Sequence, residues 1–290
     1  MLVSAEVTDV LVYATAARAQ AARTLLGAAC RATGIGVRLE VYGSGSLYQR
    51  LGPRHAPPLP DLVVWFAPFA AQSAALDGLL QPYQPASVAP AAAHDANWRW
   101  TTLDYVPIGV LGATHVNSLH DLASVPTLAL ADPERSEIGL SVVLATLDRA
   151  RQVDGDLEAG WAWWQQRAQR GLALTEDDAG ALSLVAEGGV SHALSLAPTA
   201  SPVPGLAPLP NAVGLAASAP NPGAAKHLLD WLTSDAAADS LKASPWRAAD
   251  NGLQALLSGA PRMDVDWCRE QYRPTRQRWS QSAFAPAVRQ

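Results

Sequence analysis

The chain has 290 residues, 49% of them apolar and 16% charged, with a formal net charge of -5. That apolar share excludes a disordered chain, and the acidic balance excludes a nucleic-acid binder, which needs a basic surplus to neutralise phosphates. Every apolar run is broken by Pro, Gly or a charge well short of the roughly 20 residues needed to cross a bilayer.

In chain order, β-branched apolar runs alternate with Ala- and Leu-rich stretches of helical period. Strands are predicted at Val7 to Tyr13, Val37 to Tyr42, Asp61 to Phe66, Tyr105 to Leu111, Pro126 to Ala131, Val190 to Leu196 and Val213 to Ala217. Helices are predicted at Arg18 to Arg31, Ser46 to Leu51, Gln72 to Leu80, Glu137 to Arg151, Leu157 to Arg170 and Pro222 to Ser234, with a further helix opening at Ala179. The run Leu62-Val-Val-Trp-Phe66 is apolar throughout, as in a strand covered on both faces. The alternation predicts an α/β fold with parallel sheets and right-handed crossovers.

Two stretches read as connections. Pro85 to Asn97 is rich in Pro, Ala and Ser, and Pro198 to Pro210 holds five prolines in thirteen residues. Neither composition sustains a helix or a central strand. The intervening segment has the size of one domain. The expected organisation is a discontinuous lobe of residues 1–106 and 211–290 with a second lobe, 107–210, inserted in it. Two hinge crossings, near Val106 and Pro210, would then place a ligand cleft between the lobes.

Two turns have the chemistry of anion cradles. Asp132-Pro-Glu-Arg-Ser136-Glu-Ile-Gly139-Leu140 follows a strand and opens a helix, and Gly43-Ser-Gly45-Ser46-Leu47 does the same after Tyr42. A helix start exposes unpaired N–H groups and the positive end of the helix dipole, so it receives an anion without a lysine. Ser136 adds a hydroxyl, Gly139 admits a ligand to the backbone, and Thr15, just after the first strand, sits on the same edge as Gly45 and Ser46. The competing reading is structural: Ser136 simply caps its helix, and the glycine turn holds nothing. The second turn lacks the third glycine of a dinucleotide fingerprint and the lysine of a phosphate loop. Asp177 and Asp178 are good N-cap residues, and Asp178 can also face a cationic group.

Catalytic and metal chemistry find little support. Gly189-Val-Ser191-His-Ala193 lacks the closing glycine of a nucleophile elbow, and strand alternation predicts that His192 points away from Ser191. The six histidines show no i,i+4 pair, so no metal is expected. Cys30 and Cys268 form no Cys-x-x-Cys motif, and their pairing stays open. Trp161, Trp163 and Trp164 cluster on one helix, which suits packing between helices.

The residues then become familiar. Leu47-Tyr-Gln-Arg-Leu51, Pro60-Asp-Leu-Val-Val-Trp65, Asp77-Gly-Leu-Leu-Gln-Pro-Tyr83, Leu103-Asp-Tyr-Val-Pro107, Asp132-Pro…Ser136…Gly139-Leu140, Ser195-Leu-Ala-Pro198, Ala219-Pro-Asn-Pro222, Val265-Asp-Trp267 and Trp279 come in an order that resembles the periplasmic solute-binding proteins of ABC importers. The similarity is to the branch of the thiamine, ferric-iron and aminoethylphosphonate receptors and runs over nearly the whole chain.

The resemblance implies a two-lobed type II fold, each lobe a mostly parallel sheet flanked by helices. It implies a monomer without catalysis or cofactor, secreted to the periplasm behind a signal peptide that the N-terminal residues as given lack. Its partners would be a small anionic or zwitterionic solute and a membrane permease. None of the six tyrosines has a tyrosine neighbour, which disfavours ferric iron, and Asp178 and Leu196 stand near positions where the thiamine receptor presents aromatic rings. The expected ligand is therefore phosphate- or phosphonate-bearing. Thr15, Gly45, Ser46, Tyr105, Ser136, Gly139, Leu140, Asp178 and Ser195 would meet it, and Asp178 would pair with an amine. A thiamine or ferric-iron receptor and a ligand-sensing regulatory domain remain as alternatives.

Overall fold

The computed structural model describes residues 9–52, 58–88, 92–112, 116–196, 200–242, 247–248 and 262–282. The chain forms two compact units, Met1–Tyr105 with Pro210–Ala255 and Val106–Leu209 with Leu256–Gln290.

The first unit is built on β1 (Val10–Thr15), β2 (Val37–Tyr42), β3 (Leu62–Phe66), β4 (Leu80–Gln81), β5 (Thr101–Val106), β11 (Leu209–Ala216) and β12 (Arg247–Ala248). Sheet order is β12-β5-β11-β3-β1-β2, with β4 beside β11. β1 pairs in parallel with β2 and β3, while β11 runs antiparallel to β3 and β4, and β12 antiparallel to β5, so the sheet is mixed. Helices α1 (Ala19–Thr33), α2 (Ser44–Leu51), α3 (Pro68–Leu76), α8 (Pro222–Leu232) and α9 (Asp235–Lys242) belong to this unit. Leu25, Leu26 and Ala29 of α1 and Leu228, Leu229 and Leu232 of α8 pack on Val10, Val12, Leu62 and Val64. This core is almost wholly aliphatic.

The second unit has β6 (Gly109–Gly112), β7 (Leu128–Ala131), β8 (Leu172–Thr175), β9 (His192–Ser195) and β10 (Ser201–Pro202), in the order β10-β6-β9-β7-β8. β7 pairs in parallel with β8 and β9, while β6 and β10 are antiparallel. Its helices are α4 (Leu119–Ser124), α5 (Glu137–Arg149), α6 (Leu157–Gly171), α7 (Asp178–Ala186) and α10 (Val265–Gln281). A π-helical turn, Ala150–Asp154, prolongs α5. The strand predicted from Tyr105 to Leu111 proves to be two, β5 and β6, interrupted at Pro107, which has no N–H for a ladder.

The C-terminal segment corrects the expected domain boundaries. Residues 256–290 were expected in the first lobe but belong to the second unit, so the chain passes between the units three times and not twice. The reason is aromatic burial. Trp279 is fully buried, edge-on to Trp164 at 5.4 Å, and Trp164 is in turn edge-on to Trp163 at 4.7 Å. A polar clamp fixes the start of α10. Buried Asp148 accepts hydrogen bonds from Arg151 Nη2 (2.8 Å), Gln152 Nε2 (2.7 Å) and the Asp264 N–H (2.9 Å), and Arg151 Nη2 also reaches Asp264 Oδ2 at 2.9 Å. No helix among the described residues is long and apolar enough to cross a membrane.

Candidate functional site

In parallel sheets the loops that bind ligands lie beyond the carboxyl ends of the strands. In the first unit that edge is formed by the ends of β1, β2 and β3. Thr15 ends β1 and is 5% exposed. After β2, α2 begins at Ser44 behind Gly43 as N-cap, so Gly45 and Ser46 occupy its first turn. That N-cap makes no side-chain hydrogen bond, and neither does Ala67, the N-cap of α3 after β3. Tyr42, at the end of β2, donates its hydroxyl to Glu40 Oε2 at 2.5 Å and has the Arg50 guanidinium 4.1 Å above its ring. Burial first, and then the Glu40 bond, raise the Tyr42 pKa above the ordinary phenol value. Tyr105 is buried in β5 with its hydroxyl accepting the Ala93 N–H at 2.9 Å.

In the second unit the carboxyl edge gathers the ends of β7, β8 and β9. Ser136 is the N-cap of α5, and its Oγ accepts the Gly139 N–H at 3.3 Å. The Leu140 N–H is bonded to the Ser136 carbonyl at 3.0 Å, and the Leu140 side chain is fully buried. A Cβ on Gly139 would stand 1.9 Å from the Ala131 carbonyl oxygen. The absence of a side chain there lets α5 start hard against the end of β7. The role of Gly139 is close packing, where the sequence suggested ligand access. Asp177 caps α7 through the Gly180 N–H at 2.8 Å, which leaves Asp178 to accept the Ser195 hydroxyl at 2.8 Å. The structure thus brings Asp178 and fully buried Ser195 together on one edge, with Ser136 one strand away.

Three residues on these edges escaped the sequence reading. Arg18 is 6% exposed in the turn that follows Thr15, where it read as an ordinary helix start. Asp104 is fully buried and accepts the Asn211 side-chain amide at 2.7 Å, a pairing across 107 positions that no local pattern announces.

One argument from alternation fails. His192 Nδ1 lies 3.0 Å from Ser191 Oγ, because Ser191 precedes the strand and is not held to its alternation. The Ser191 hydroxyl donates to the Thr127 carbonyl at 2.6 Å while Ser191 N–H donates to Thr127 Oγ1 at 2.7 Å. Its proton is committed to a backbone acceptor, so the group ties β9 to the entry of β7. The two cysteines are free thiols. Burial pushes the Cys268 thiol far above its ordinary pKa, with Asp148 and Asp264 adding to the rise. Among the described residues no group of three or more His, Cys, Asp or Glu is placed to hold a metal ion.

Each unit thus carries a mixed sheet with helix starts gathered on its carboxyl edge. Residues 10–247 match the model of the bacterial extracellular solute-binding protein family, and the chain belongs to that family, the transport receptors of ABC importers and not enzymes. Among solved structures it is similar to the periplasmic binding protein AfuA from Actinobacillus pleuropneumoniae with exogenous fructose-6-phosphate bound (14% identity, 93% of this chain and 96% of that one, TM-score 0.69). It is also similar to apo ferric ion-binding protein A from Pasteurella haemolytica (13%, 97% and 99%, TM-score 0.74) and to iron-bound HitA from Pseudomonas aeruginosa (15%, 94% and 99%, TM-score 0.73). These neighbours have the type II periplasmic-binding-protein fold, and the chain shares it. Comparison with curated proteins gives no significant match.

Proposed function

We propose that the chain is a periplasmic receptor that captures a small phosphate- or phosphonate-bearing solute and delivers it to its permease as a monomer. The observation that carries this reading is the contrast at the carboxyl edges. The starts of α2 and α3 make no side-chain cap bonds, so their first-turn N–H groups are suited to receive a ligand's anion. In the second unit Ser136 and the first turn of α5 would add donors, although Gly139 and Leu140 N–H are already engaged in the cap. The Asp178–Ser195 pair supports a zwitterion, since its carboxylate would receive an ammonium group. Of the neighbours, AfuA is described with a sugar phosphate and HitA with iron.

A thermal-shift screen with phosphate, aminoethylphosphonate, thiamine, thiamine phosphate, sulfate and ferric citrate tests the reading, because a bound ligand stabilises by mass action. A shift with phosphorylated or phosphonate compounds is expected, and a shift with ferric citrate alone overturns it. Calorimetry on a Ser46→Ala, Ser136→Ala double variant locates the site. Each hydroxyl lost should cost about 1–3 kcal/mol of binding.

A further inference from the structure

The amino edge of the first unit's sheet, opposite the loops assigned to the solute, carries a cavity of about 360 Å³. That volume falls within the roughly 300–1,000 Å³ of small-molecule sites. Its floor joins the starts of three elements. Asp61, just before β3 and 1% exposed, accepts the Leu11 N–H of β1 at 2.8 Å through Oδ2. Its Oδ1 accepts the N–H of Asn221, the N-cap of α8, at 2.5 Å. Asn221 Nδ2 in turn reaches the Asp9 carbonyl at 3.4 Å. One buried carboxylate thus fixes the backbone under the cavity, and Leu11, Pro58 and Pro220 give it aliphatic walls.

Two opposite charges on its rim do not meet each other. Arg38 of β2 lines the cavity with a side chain 56% exposed, and its one ion pair is a long one, Nη2 to Glu40 Oε1 at 3.5 Å. Asp9 lines the same cavity, and its carboxylate has no partner among the described residues. A ligand bearing only an anion would face the carboxylates of Asp9 and Asp61, and one bearing only a cation would face Arg38. A zwitterion answers both. The walls hold no aromatic ring, so they suit an aliphatic side chain and not a stacked one. We propose that this cavity is a second binding site, for a free aliphatic α-amino acid. The N–H fork of Arg38 takes its carboxylate, and Asp9 takes its ammonium group. Exposed ion pairs contribute little alone, so the apolar walls and the fixed floor carry part of the binding.

Calorimetric titration of the full chain with L-leucine is the test. Saturable binding is expected, about tenfold or more weaker for leucinamide, which lacks the carboxylate, and for isocaproate, which lacks the ammonium group. Arg38→Gln and Asp9→Asn change exposed side chains, so each should fold as the wild type does and weaken L-leucine by a similar factor. The Ser46→Ala, Ser136→Ala double variant should bind L-leucine with wild-type affinity, which separates this cavity from the proposed anion site. Absence of saturable binding, equal affinity for leucinamide or isocaproate, or unchanged affinity in either single variant overturns the proposal. Binding lost in the double variant but kept in Arg38→Gln also overturns it and moves the amino acid to the other edge.

Discussion

The two units solve the same architectural problem with different materials. The first packs Val, Leu and Ala between sheet and helices, whereas the second centres on Trp161, Trp164 and Trp279. They also begin their helices differently. In the second unit Ser118, Ser136, Asp156, Asp177 and Asp264 each cap their own helix with a side-chain oxygen. In the first unit Arg18, Gly43, Ala67 and Asn221 stand at that position and none makes a side-chain cap bond. A self-capped helix has spent part of its affinity for an anion on its own structure. On the proposed reading, the first unit's carboxyl edge is the better anion receiver.

That contrast can be broken in several ways. The largest effect is expected from Trp164→Ala, which removes a fully buried indole and its bond to Thr146 Oγ1 (2.7 Å). A loss of about 3–5 kcal/mol is expected in urea denaturation, confined to the second unit's unfolding transition. Next comes a pair of glycines. Gly139→Ala drives a Cβ into the Ala131 carbonyl and should destabilise by about 3 kcal/mol, while Gly43→Ala meets nothing within 4 Å and should leave thermal stability almost unchanged. Gly43→Asp sharpens the comparison. It supplies the first unit with a cap of its own, so stability should hold or rise while solute affinity in calorimetry falls about tenfold or more. Ser136→Ala should cost about 1 kcal/mol of stability through loss of the cap, with melting as the readout.

The smallest effect is a pH dependence confined to the first unit. Burial raises the Asp95 pKa, but bonds from Arg99 (Nε 2.8 Å, Nη2 3.0 Å) and from the Asn97 and Arg99 N–H groups outweigh it, and the net shift is downward. A carboxylate with a depressed folded pKa gives stability that is fully present above its ordinary pKa of 3.8 and lost as pH falls through the folded value. Acid melts should therefore show a loss below that value that Asp95→Asn lacks.

Much of the fold was legible in one dimension because its signals are local. The helix from Glu137, the strands from Val37 and Leu62, and the proline start of α8 follow from period, chain stiffness and capping chemistry. The candidate site was legible only as a set of loops. That Ser136 and Asp177 would cap their helices was weighed from the sequence, but that Asp178 would meet Ser195, seventeen positions away, depended on β8 and β9 flanking the same strand.

The amino-acid sequence by itself determined an alternating α/β chain with two lobes' worth of core and helix starts placed after strands, because propensity and periodicity act over a few residues. The tertiary structure alone decided that the last helix joins the second unit, that Gly139 is spent on packing, and that Asp104 pairs with Asn211. Each of those depends on which distant surfaces a side chain can bury or bond, and no local pattern of residues encodes that choice.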